Sequence, residues 1–330
     1  MSAPTPPQLG PEEVAALVDA HPGWWPTPPE DRSGAGTEVT LLGRGESFTA
    51  WRARRGAAEL AVRVPHRPPV ELPKPLPDEH ELLDRLPDGV GARPVAVHEP
   101  TAADPTAYLV TTVVPGHVLT PRDWTDGLLA ALAGQLARLH VLARTDGLDL
   151  TGDHDLVEAA THSRDWWREH EPEHGAALEP LWPAVLAHQT RVQAAAPATG
   201  TTLIHGDACL TNVVVDGDVP RLIDWEWAGA GDPARDLAYA GGRVHADPWY
   251  ADLHDDRVRR QVEAYAAARA ALGSPVDVEP LLLRRAGWLV HETYFVTPHL
   301  RRVASRGGPG AGRYTGTADL LTAGLRAWLT

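Results

Sequence analysis

The 330-residue chain has a single lysine, Lys74, among its 30 lysines and arginines. That scarcity excludes chemistry built on the residue. A Walker-type phosphate loop ends in Gly-Lys-Ser/Thr, whereas Lys74 stands between Pro73 and Pro75. A Schiff-base enzyme needs its lysine on a structured element, which a Pro-Lys-Pro segment does not supply. Any cationic grip on phosphate must therefore come from arginine, a metal or backbone amides. The single cysteine, Cys209, excludes an intrachain disulfide and with it a disulfide-stapled secreted domain. No run approaches the roughly 20 uninterrupted apolar residues of a membrane span. The longest candidate, Leu128 to Ala143, is broken by Gln135, Arg138 and His140. The opening Met1-Ser2-Ala3-Pro4-Thr5-Pro6-Pro7 has neither the basic nor the apolar region of a signal peptide. At a formal charge of −14 the chain also lacks the basic excess of a sequence-independent nucleic-acid binder. The expectation is a cytoplasmic protein with no membrane or nucleic-acid partner. Nothing in the sequence specifies an oligomeric state.

What is present is a substantial apolar fraction, 43%, enough to bury a core. The length suggests two domains. Residues 1–36 read as a Pro- and Gly-rich arm around one short helix, Glu12 to Ala20, with Trp24 and Trp25 to dock it. Residues 37–114 read as a β-rich lobe. Its strands are Val39–Gly43, Ser47–Arg54, Glu59–Val64, Arg93–His98 and Tyr108–Val114. One short helix, Asp78 to Leu86, interrupts them with Asp78 as N-cap. After a linker near residues 112–117, residues 115–330 read as a larger helical lobe. There Leu128, Leu132, Leu136 and Leu139 recur at helical spacing. One β island, Leu203 to Trp225, stands among the helices.

The chemistry concentrates in that island. Two apolar runs, Val213-Val214-Val215 and Leu222-Ile223, flank the turn signal Asp216-Gly217 and predict a β-hairpin. Asn212 opens its first strand and Asp224 closes its second, so both belong to the hairpin's open end. An amide oxygen and a carboxylate there suit Mg²⁺, a hard ion that takes one or two protein ligands plus substrate phosphates. Asp207 lies in the loop five residues before Asn212, where it can accept a proton from a hydroxyl attacking a metal-bound phosphate. Base, metal ligand and metal ligand in this chain order form a phosphoryl-transfer layout.

With His205-Gly206-Asp207 through Asn212, Ile223-Asp224-Trp225, Gly231-Asp232-Pro233-Ala234-Arg235-Asp236-Leu237-Ala238 and the earlier Leu136-Ala137-Arg138-Leu139-His140, the sequence resembles the aminoglycoside phosphotransferase family, relatives of the protein kinases. The resemblance covers residues 37 to 240 in order. It implies an α+β, two-lobed, protein-kinase-like fold that binds ATP or GTP with Mg²⁺ between the lobes. It places Leu42-Gly43-Arg44-Gly45-Glu46-Ser47 where the family has its nucleotide-covering glycine loop, with Gly43, Gly45 and Ser47 facing the nucleotide. The family's third glycine is here Phe48. The strand that usually presents a phosphate-binding lysine reads Leu60-Ala61-Val62-Arg63-Val64-Pro65, with Arg63 at that position and Glu79 as its partner, Glu81 being the alternative. The backbone near Thr112 and Val114 would meet the nucleobase. Asp207 and Arg63 are then the catalytic residues, and Asn212 and Asp224 the metal ligands.

The implied activity is nucleotide-dependent phosphorylation of a hydroxyl on a small molecule, an antibiotic or related natural product. A metabolite kinase for an amino alcohol or sugar shares the same motifs. So does a non-catalytic nucleotide-binding pseudokinase, against which the retention of Asp207, Asn212 and Asp224 argues. His205 reads as a loop-positioning residue, Asp236 as a brace of the catalytic loop and Cys209 as a small residue within it. His170-Glu171-Pro172-Glu173-His174 satisfies the zinc-protease pattern H-E-x-x-H. Pro172 breaks the helix that this chemistry needs, so the segment reads as a helix end with solvated charges.

Overall fold

The computed structural model describes residues 6–25, 36–148, 154–198, 200–307 and 311–329. The chain divides into two units. The first comprises Met1–Pro115 with Trp225–Trp227; the second comprises Gly116–Asp224 with Ala228–Thr330.

In the first unit, helix α1 (Pro11–Ala20) precedes strands β1 (Glu38–Arg44), β2 (Phe48–Arg55) and β3 (Ala58–Pro65). Helix α2 (Leu76–Asp84) follows, then β4 (Pro94–His98) and β5 (Tyr108–Thr112). The five strands form one antiparallel sheet in the order β1-β2-β3-β5-β4. The period-2 alternation of β3 sorts its side chains. Leu60, Val62 and Val64 are buried in one core with Val14 and Val18 of α1 and with Trp25. Ala61 and Arg63 belong to the opposite face. Each fully buried aliphatic side chain on the core face contributes about 1.5–3 kcal/mol, and the arm helix is thereby part of this unit's core. Helix α2 begins two residues before the expected Asp78, with Pro75 at the cap position and Pro77 in the first turn. A proline costs nothing there, because first-turn N–H groups have no helical acceptor. Asp78 thus becomes a first-turn acid, and Glu79 beside it is fully buried.

The second unit starts with β6 (His117–Val118), α3 (Asp126–Leu142), α4 (Leu156–His170), the single turn α5 (Pro172–Gly175) and α6 (Trp182–Ala195). The expected β island is divided. Strand β7 (Thr202–Ile204) is followed by the hairpin β8 (Val213–Asp216) and β9 (Val219–Leu222), then β10 (Gly229–Gly231). β7 pairs with β10, whereas β6 adds to the hairpin as a third strand. Gly116 is required at that junction. Its φ is +113°, and a Cβ would lie 2.3 Å from the Val215 carbonyl oxygen. Helix α7 (Pro233–Ala238), the short pair β11 (Gly241–Gly242) and β12 (Ala251–Asp252), and helices α8 (Asp255–Ala271), α9 (Val278–Ser305) and α10 (Ala311–Leu329) complete the unit. Thr125 caps α3 through its hydroxyl. The apolar stripe of α3 buries Leu129, Leu132, Leu136 and Leu139, and α3 packs on α8. Among the described residues no helix is long and apolar enough to cross a membrane.

Candidate active site

The loop from His205 to Asn212 joins β7 to the hairpin, and its backbone is tied down at several points, most densely around Gly206 and Asp207. Asp236, in the first turns of α7, accepts hydrogen bonds from the backbone N–H of His205 (2.7 Å) and of Gly206 (2.9 Å). His140 of α3 donates its Nε2–H to the same carboxylate at 3.0 Å. Tyr265 of α8 pairs with His140 Nδ1 at 2.8 Å. Burial alone would raise the Asp236 carboxyl, but the hydrogen bonds it receives from His140 and from the loop N–H outweigh it and hold it below the ordinary 3.8. The Gly206 carbonyl accepts from the Tyr239 hydroxyl at 2.6 Å. Burial pushes that phenol well above its usual range, so it keeps its proton to donate. His205 donates Nε2–H to the Ile223 carbonyl (3.0 Å) and receives the Asp207 N–H on Nδ1 (3.3 Å). These two bonds select the neutral ring, and burial accordingly lowers its pKa. Further on, Leu210 N–H donates to the Trp249 carbonyl at 3.0 Å. Asp207 itself is half-buried between buried neighbours.

Asn212 reaches back to this residue. Its Nδ2 donates to the Asp207 carboxylate at 2.7 Å and to the Asp207 carbonyl at 3.0 Å. The hairpin register sets Val213 opposite Leu222 and Asp216 opposite Val219. The loop residues are therefore Gly217 and Asp218, and Asn212 faces Ile223, one residue short of Asp224. The Ile223 N–H to Asn212 carbonyl bond of 2.9 Å closes that end of the hairpin. Asp224 follows with φ 65°, the one left-handed residue other than glycine among those described. A side chain held there costs of order 1–3 kcal/mol and marks sites where direction matters more than comfort.

In the first unit, Arg63 of β3 forms an ion pair with Glu79 of α2. Its guanidinium also lies over the Phe48 ring, 4.1 Å from the centroid. Gly43 lies next to the last residue of β1, beside a register shift in its pairing with β2, and Gly45 donates its N–H to the Phe48 carbonyl at 2.9 Å. A Cβ at Gly43 would meet nothing within 4 Å, and one at Gly45 only the Phe48 carbonyl oxygen at 3.9 Å, so both leave open approach to the backbone. Ser47 is buried, and its carbonyl accepts from His66 N–H at 3.0 Å. The Thr112 hydroxyl is spent within the sheet, accepting from Arg93 N–H at 2.9 Å, and Val114 is half-buried just beyond β5.

Helix α4 ends at His170, Glu171 leaves helical geometry, and Pro172 opens α5. His170 stacks on Trp166, while His174 lies 3.3 Å from the Glu171 carboxylate. The two histidines thus occupy separate helices with separate partners. Cys209 is buried, with its sulfur 3.2 Å from the Thr211 hydroxyl. Burial raises its thiol well above 9, so thiolate reagents should leave the native chain unlabelled at pH 8 and modify it stoichiometrically in denaturant. Mass spectrometry after brief alkylation checks this. Residues that sequence reasoning missed are Tyr239, Tyr265 and Arg284. Arg284 of α9 ion-pairs with the buried Asp232, which caps α7 through Ala234 N–H and also accepts from Trp288 Nε1 at 2.8 Å.

Residues 38–274 match the model of a family described as phosphotransferase enzyme family. Viomycin phosphotransferase of Streptomyces vinaceus is 34% identical over 170 residues, which cover 45% of this chain and 57% of that protein. The match therefore spans little more than half of that relative's length. Choline kinase of Cryptosporidium parvum Iowa II superposes with a TM-score of 0.64 at 10% identity, over 96% of this chain and 94% of the other. Spectinomycin phosphotransferase, solved with ADP and spectinomycin, superposes with a TM-score of 0.58 at 13% identity, over 96% and 99%. At such identities the likeness is one of fold, and the fold is the expected α+β, kinase-like one.

Proposed function

Because the chain belongs to the phosphotransferase enzyme family, we propose that it moves the terminal phosphoryl group of ATP or GTP onto a hydroxyl of a small molecule, an antibiotic or related natural product. The observation that carries this reading is the Asp207 carboxylate, gripped by Asn212 on a loop whose backbone is pinned by Asp236, Tyr239 and Trp249. The viomycin-modifying relative supports an antibiotic as acceptor.

In this reading Asp207 orients the acceptor hydroxyl and takes its proton as the acceptor oxygen bonds to phosphorus and the nucleoside diphosphate leaves. Asn212 keeps one carboxylate oxygen of Asp207 in place, so the base does not have to be ordered during the reaction. The donor set fits a hard cation: Asn212 commits its amide nitrogen to Asp207, which leaves the amide oxygen, and Asp224 adds a carboxylate held in one backbone conformation. When bound, Mg²⁺ neutralises phosphate charge. Arg63, ion-paired with Glu79, is assigned to the non-transferred phosphates. Gly43, Gly45 and Ser47 are assigned to covering the nucleotide, and the backbone at Thr112 and Val114 to its base.

The test is product mass. The purified chain is incubated with magnesium and either ATP or GTP, together with viomycin, aminoglycosides, macrolides, choline and simple sugars. One added phosphoryl group on an antibiotic is the expected result. Turnover of choline or sugars alone would replace the antibiotic with a metabolite as acceptor. Absence of both turnover and nucleotide binding would overturn the proposal.

A further inference from the structure

Two departures from the family pattern lie close together in sequence: Phe48 where the third glycine of the loop is usual, and Arg63 where the lysine is usual. The structure joins them. β2 and β3 pair with Phe48 opposite Pro65 and Ala50 opposite Arg63, so Phe48 and Arg63 are diagonal neighbours on one face of the sheet. The guanidinium carbon stands 4.1 Å from the ring centroid. Phe48 is 6% exposed, the Arg63 side chain 14%, and Glu79, which completes the ion pair, is fully buried. A guanidinium is planar. One face can rest on an aromatic ring while its N–H groups, which lie in the plane, remain directed at oxygens. A compact ammonium gains less from such a platform. A glycine at position 48 would leave the guanidinium without it.

We infer that Phe48 is a positioning residue: its ring is the platform that, with Glu79, aims the Arg63 guanidinium at the phosphates of the donor nucleotide. The two departures are then one device, an aromatic support accompanying the change from lysine to arginine. The inference rests on the assignment of Arg63 to the phosphates.

A double-mutant cycle tests it, with binding measured by titration calorimetry for ATP and GTP with magnesium, and for adenosine and guanosine. Phe48→Leu, which keeps apolar volume but removes the ring, should weaken triphosphate binding roughly 5- to 30-fold, the range of a partly desolvated cation–π contact. Nucleoside affinity should not change. Phe48→Tyr should recover most of that loss. In the Arg63→Ala background, Phe48→Leu should cause no further weakening. An equal loss in that background, or a parallel loss of nucleoside affinity, would show ordinary packing and overturn the inference. Arg63→Lys provides a second route that leaves Phe48 in place, and binding as tight as the wild type would also overturn it. If Arg63→Ala binds triphosphate normally, the phosphate assignment and this inference both fall while the phosphotransferase reading stands. If the wild type binds no triphosphate, it is that reading which fails.

Discussion

Asp207→Asn lowers kcat by about 10²–10⁴, the usual worth of a positioned general base, while KM for the nucleotide changes little. Asparagine has nearly the shape of aspartate and can still accept the 2.7 Å bond from Asn212 Nδ2. The loop's other anchors do not involve the side chain: Asp236 holds the His205 and Gly206 N–H groups, Tyr239 holds the Gly206 carbonyl, and Leu210 is fixed to Trp249. The variant therefore loses basicity with little change in architecture. Steady-state kinetics with the acceptor identified by product mass measure the effect. A kcat within about threefold of wild type, far short of a general base's worth, would remove Asp207 from the reaction. Loss of nucleotide affinity in step with kcat would instead give it a binding role.

The residues that carry this expectation are legible because their signals are local. Asp207, Asn212 and Asp224 lie within eighteen positions of one another, and a hairpin with a recognisable turn fixes their order. Even so, the turn falls on Gly217 and Asp218, and Asn212 faces Ile223. A one-residue difference in loop position is invisible when Asp216, Gly217 and Asp218 are all turn formers. The start of α2 differs for a similar reason, since both Pro77 and Asp78 suit a helix N-terminus. The break at Pro172 needs no tertiary context, because a proline acts on its own turn. What sequence does not carry are contacts between distant segments. His140 meets Tyr265 across 125 positions, and β7 pairs with β10 outside the hairpin. Tyr239 carries no signal in the sequence that marks it. Only packing reveals that its hydroxyl ends on the Gly206 carbonyl.

Asp236→Ala should cost about 3–5 kcal/mol of stability, the usual result of removing one partner from a buried charged network. It should also lower kcat at least about 10²-fold through displacement of the loop. Three donors converge on this carboxylate: the N–H groups of His205 and Gly206 and the ring of His140. All lie where water does not replace the lost acceptor, since His205 is fully buried and His140 nearly so. Each donor left unsatisfied costs about 1–3 kcal/mol. The two backbone donors sit directly before Asp207, so any relaxation that satisfies them shifts the residue proposed as base. Tyr239→Phe provides a graded comparison. It removes the bond to the Gly206 carbonyl together with the hydroxyl's bonds to Arg235 and the buried Glu292, and should cost about 1–3 kcal/mol, with a smaller fall in kcat. Urea unfolding at several pH values then separates charge from packing. The folded carboxyl of Asp236 lies below its ordinary 3.8. Its stabilisation is therefore fully present above that value and is lost as the pH falls through the folded pKa. The gap between wild type and Asp236→Ala should stay constant from about pH 5 to 8 and narrow only in acid below about pH 4. A gap that opened or closed near neutrality would mean that a histidine, and not this carboxylate, holds the loop.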